Sequence, residues 1–98
     1  MLMLQPSIIG MNTEQFRTVG VNHVESVRGF SVRRKDRNSL LYTRTGLALE
    51  IEVEPGESLE VYLTHSAKAQ GISDQEIQNI WNNLAEALQF MNVKFEIT

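Results

Sequence analysis

The chain has 98 residues, 42% of them hydrophobic, enough for one buried core and too few for two. It contains no cysteine, which excludes disulfides, thiolate metal sites and a cysteine nucleophile and fits a reducing compartment, so a cytoplasmic protein is expected. Its formal net charge of −3 argues against a dedicated nucleic-acid binder, because grip on a polyanion relies on clustered Lys and Arg.

The opening "MLMLQPSIIG" is apolar but lacks a basic flank and is interrupted by Pro6, so it does not read as a secretory signal. No apolar run approaches the roughly 20 residues that cross a bilayer, and a soluble protein is expected. Residues 1–20 form a poorly defined segment in which "NTEQFRTVG" reads as a helical turn or two, with Asn12 or Thr13 as cap and Gly20 as stop. Residues 21–98 read as a single α+β domain.

From Val24 the β signal strengthens. "VESVRGFSVRR" is rich in β-branched and aromatic residues, "KDRN" (35–38) has turn chemistry, and "SLLYTR" (39–44) returns as a second strand. Beyond Gly46 the alternation is strict. Leu47, Leu49, Ile51 and Val53 point one way and Ala48, Glu50, Glu52 and Glu54 the other, the period-two pattern of a strand with one buried face. Pro55 and Gly56 suit a type II turn, after which Leu59, Val61 and Leu63 resume the apolar face with Glu60, Tyr62 and Thr64 outside.

"HSAKAQG" (65–71) reads as a connection. "SDQE" (73–76) is a capping box: the Ser73 hydroxyl can accept from the Glu76 backbone N–H while the Glu76 side chain reaches back. Ile77, Ile80, Trp81, Leu84, Leu88 and Met91 then fall on one helical stripe, which predicts an amphipathic helix over about 73–91 lying on one sheet face. With Trp81 in the stripe, Trp81→Ala is expected to cost about 3 to 5 kcal/mol. Phe90 falls on the polar side of the wheel, which places it either past the helix end or on the surface as an aromatic anchor. "VKFEI" alternates again as a final short strand over 93–97. The fold class is therefore α+β: an antiparallel sheet of about five strands packed against one C-terminal amphipathic helix.

Catalytic chemistry is not apparent. His23 and His65 lack a second ligand at metal spacing, and His65 followed by Ser66 is sequence adjacency rather than an oriented base and nucleophile. Glu50, Glu52 and Glu54 should lie on an open face, without the apolar pocket that raises one pKa of a carboxylate pair. No glycine-rich phosphate loop is present. No enzyme activity, catalytic residue, metal or cofactor is expected.

Charge is strongly polarised. Between 28 and 44 stand Arg28, Arg33, Arg34, Lys35, Arg37 and Arg44 against Asp36 alone, whereas residues 50–60 carry Glu50, Glu52, Glu54, Glu57 and Glu60. Either the two poles lie on adjacent strands and neutralise each other, or the glutamates are left as an acidic patch that can steer a basic partner.

The "RG" strand at Arg28 and Gly29, the strand "SLEVYLTHSA", the capped helix "ISDQEIQNIWNNLAEAL" and the terminal "VKFEI" together resemble the small immunity proteins of bacterial polymorphic-toxin systems. The resemblance spans about residues 24–98. It implies non-catalytic, stoichiometric binding of a cognate protein toxin, with no cofactor and no membrane partner, and carries no site residues of its own. It favours the open acidic patch, since many such toxins are nucleases with basic grooves, and the expected partner surface is Glu50, Glu52, Glu54, Glu60 and Tyr62. The alternative is a small nucleic-acid-binding or adaptor module using the basic 28–44 hairpin with Phe30 and Tyr42.

Overall fold

The computed structural model describes residues 15–98. In chain order these form β1 (Phe16–Gly20), β2 (His23–Ser26), β3 (Phe30–Asp36), β4 (Ser39–Arg44), β5 (Leu47–Glu54), β6 (Leu59–Tyr62), α1 (Leu63–Ala69), α2 (Asp74–Phe90) and β7 (Phe95–Ile97). The strands make one sheet in sequential order from β1 to β7, antiparallel throughout except that β7 runs parallel to β6.

The class is α+β, but among the described residues the sheet has seven strands rather than about five, is mixed rather than antiparallel, and is followed from β6 by two helices rather than one. Each difference has a local cause. Gln15 is helical, but the stretch predicted to turn helically up to Gly20 is strand from Phe16, paired with β2 through a bulge; the caps Asn12 and Thr13 lie outside the described residues. "VESVRGFSVRR" breaks at Val27 to Gly29, where Gly29 takes a left-handed φ of 98°, and so supplies two strands. The chain leaves β6 through two helices before returning, and such a crossover delivers the next strand parallel.

The β5 and β6 hairpin follows the predicted alternation. Leu49, Ile51, Val53, Leu59 and Val61 are buried, Leu47 is half-buried, and Glu50, Glu52, Glu54 and Glu60 are exposed. Gly56 keeps a negative φ, so the link is an open loop rather than a type II turn.

β6 stops at Tyr62, having covered β5 only from Glu52 to Glu54. The predicted connection at 65–71 is mostly helix: Leu63, Ser66 and Ala67 recur at helical spacing and are buried. From α1, the Ser66 hydroxyl accepts the Glu52 backbone N–H at 3.0 Å, and the Gln70 amide donates to the Glu50 carbonyl at 2.8 Å. The helix thereby satisfies strand-edge groups that β6 leaves open. It ends in a Schellman turn, with Ile72 N–H on the Ala67 carbonyl and Gly71 N–H on that of Lys68; Gly71, at φ 83°, supplies the left-handed residue this turn requires.

The helix over about 73–91 is α2, capped by Ser73 and closed at Met91. Half of the capping box forms: Ser73 accepts from the Glu76 N–H at 3.3 Å, but the Glu76 carboxylate turns to Arg44 instead of reaching back. Ile77, Ile80, Leu84, Ala87 and Leu88 are buried against the sheet. Trp81 is only half-buried at the edge of this core, so the 3 to 5 kcal/mol expected of its loss is too large. Phe90 lies within the helix and is neither past its end nor an exposed anchor, because its ring stacks on Phe16 of β1 at 5.3 Å. The final strand is Phe95–Ile97, shorter than 93–97, since the Val93 N–H closes the end of α2 on the Leu88 carbonyl.

Candidate functional site

The strand residues that face away from α2 form an outer sheet face. On it the register sets Glu52 opposite Tyr62, Glu54 opposite Glu60, and Glu60 opposite Glu96 of β7. Glu54, Glu60 and Glu96 thus make an exposed acidic row across three adjacent strands. The Tyr62 hydroxyl donates to the Glu54 carboxylate at 3.0 Å. That bond first, then some loss of solvent and the charges of Glu54, Glu60 and Glu52, hold the phenol above the usual tyrosine range.

Of the five residues expected to form the partner surface, Glu52, Glu54, Glu60 and Tyr62 are neighbours in this margin. Glu50 is on the same face but is engaged: Lys35 donates to its carboxylate at 2.8 Å, and this bond together with the carboxylate's charge holds the ammonium above the usual lysine range. Glu96 was missed. Its place between Phe95 and Ile97 marks it as outward-pointing, but only the long-range pairing of β7 with β6 brings it beside Glu60. A hollow of about 290 Å³ adjoins the margin, lined by Asn38, Glu52, Val53, Glu54, Tyr62 and His65.

The cations of residues 28–44 do not cover this row, nor do they form one patch. Arg28 pairs with Glu86 and Arg44 with Glu76, tying two strand ends to the polar side of α2. Arg34 donates to the Asp36 and Arg37 carbonyls around the β3 to β4 turn. Arg33 and Lys35 share the outer face of β3, and among the described residues only Lys35 meets an acid of the 50–60 segment. Phe30 and Tyr42, the aromatic partners of the nucleic-acid alternative, are buried, with Tyr42 accepting from the Asn83 amide at 2.9 Å.

Beside the tied strand ends lies a second hollow, of about 890 Å³, polar and bordered by Arg28, Arg44, Glu76, Asn79, Asn83 and Glu86. Its guanidinium and carboxylate charges neutralise one another in pairs. Among the described residues no group of three or more His, Asp or Glu side chains is placed to hold a metal ion, and no helix is long and apolar enough to cross a membrane. His65 is exposed while the Ser66 hydroxyl is buried on the Glu52 N–H, so the pair is not presented to solvent as base and nucleophile. Comparison with known protein families, with curated proteins and with solved structures returned no match to this chain.

Proposed function

We propose that this chain is a non-catalytic immunity protein that binds and neutralises a cognate bacterial toxin, seating the acidic margin of β5, β6 and β7 in a basic groove such as a nuclease uses for its substrate. The observation that supports this reading is the row Glu54, Glu60 and Glu96. Like charges directly opposite on neighbouring strands destabilise a sheet, and no cation among the described residues offsets them. A surface that opposes its own fold in this way suits a partner carrying the opposite charge, with the acids supplying encounter rate and orientation and half-buried Tyr62 supplying a rigid aromatic contact.

The test is neutralisation. Cells expressing the cognate toxin, identified by affinity capture with the wild-type chain, are expected to survive with the wild type and to die with Glu54→Lys/Glu60→Lys, whereas Arg17→Glu, on β1 at the opposite edge of the sheet, should protect normally. Full protection by the double variant removes the proposed surface. Failure of the wild type to protect against a toxin it captures removes the proposed function.

A further inference from the structure

Along the outer face, β4 forms an uncharged strip in which Leu41 and Thr43 are half-exposed, while Ser39 at its start is buried with its hydroxyl donating to the Asp36 carboxylate. On one side β3 presents Ser31, Arg33 and, at the bulge opposite Ser39, Lys35 beside Asp36; on the other β5 presents Ala48, Glu50, which Lys35 already pairs, and Glu52. The register sets Arg33, Leu41 and Glu50 in one row and Ser31, Thr43 and Ala48 in the next. Among the described residues Arg33 has no acidic partner and Glu52 no basic one. We propose that this face is a self-association surface, occupied by a second copy of the same chain in a two-fold dimer whose axis runs along β4.

The charge pattern selects the axis. A two-fold parallel to β4, lying between two facing sheets, exchanges left and right but keeps the level along the strand. β3 of each copy then lies over β5 of the other, which brings Arg33 to Glu50 of the second copy, a contact that occurs twice; at the next level the bulge that sets Lys35 and Asp36 together opposite Ser39 faces Glu52. Leu41, half-buried, meets its own copy at the centre, and Ser31 meets Ala48. A two-fold across the strands instead stacks β3 on β3 and sets arginine against arginine. Facing sheets pack about 10 Å apart, a spacing that small side chains such as Ser31, Thr43 and Ala48 permit.

α1 borders the face along β5, which confines the footprint to about three strands. That is smaller than the roughly 800 Å² per partner of stable complexes, so the dimer is weak and salt-sensitive. Glu54, Glu60 and Glu96 lie beyond the start of β4, where Ser39 pairs with Glu52, and remain outside the footprint. Self-association and toxin binding therefore meet at Glu52, and variants at Arg33 on one side and at Glu54 and Glu60 on the other tell them apart.

Sedimentation equilibrium of the full chain, from about 20 μM to about 1 mM at low ionic strength, tests this. The wild type should self-associate, and less so as salt is raised. Arg33→Glu and Glu50→Arg, both at exposed positions, should each weaken association by more than about tenfold through like-charge contacts made twice. An equimolar mixture of the two variants should associate again, because each supplies the charge the other now needs. A wild type that stays monomeric at low salt overturns the proposal, as does either variant associating like the wild type or a mixture no better than its components.

Discussion

Along the seam between α2 and the strand ends, each arginine meets a glutamate: Arg28 with Glu86, Arg44 with Glu76. Along the margin of β5, β6 and β7, Glu54, Glu60 and Glu96 stand side by side, and among the described residues no cation pairs with them. The seam closes on itself, since its charges reach across the fold and cancel where the helix must be held. The margin adds up to a negative surface that the fold would be more stable without. Charge that offsets charge within the chain belongs to architecture, whereas charge that accumulates against it is available to a partner.

The largest effect should come from beneath the seam rather than from its ion pairs. Leu84 is fully buried under the polar side of α2, and Leu84→Ala should cost about 2 to 5 kcal/mol in denaturant unfolding. Glu86→Gln removes one side of an exposed pair and should cost under about 1 kcal/mol. Should Glu86→Gln cost as much as Leu84→Ala, the pairs and not the apolar floor hold the helix, and the comparison loses its basis. At the margin the sign should reverse. Glu60 faces an acid on both sides, so Glu60→Gln should raise stability by about 0.2 to 1 kcal/mol, an increase that shrinks as salt screens the repulsion. A loss of stability in that variant would show that the row is compensated after all.

What could be read from sequence followed how local each feature is. The β5 and β6 hairpin rests on period-two alternation and α2 on a helical stripe with a Ser73 cap, signals complete within their own residues. β1 gave no such signal because only Phe16 of its five residues is buried. α1, at seven residues, is too short for a period to show, and its Ser66 and Gln70 contacts lie on another element. The stacking of Phe90 on Phe16 and the pairing of Arg28 with Glu86 join distant parts of the chain. The site divides the same way. Glu52, Glu54, Glu60 and Tyr62 could be placed on one face by alternation, but Glu96 joined them only through a parallel pairing that no local pattern encodes.

The smallest effect is also the most direct probe of the margin's field. Tyr62 gives its proton to Glu54, and ionising it would set a phenolate beside carboxylates, so the folded state holds that proton more tightly than the unfolded chain does. The linked stability is thus fully present below the ordinary tyrosine value of about 10 and is lost as pH rises through the raised folded value. An NMR titration of the Tyr62 ring should give a midpoint above that of an unfolded tyrosine. Glu54→Ala, which removes both the hydrogen bond and the nearest charge, should lower it most; Glu60→Gln, which removes only a charge, should lower it less. An ordinary midpoint in the wild type would mean that the glutamates do not act together on Tyr62, and equal effects of the two variants would mean that field rather than hydrogen bond holds the proton. The order of the two responses thus separates the local bond from the collective charge that a basic partner would meet.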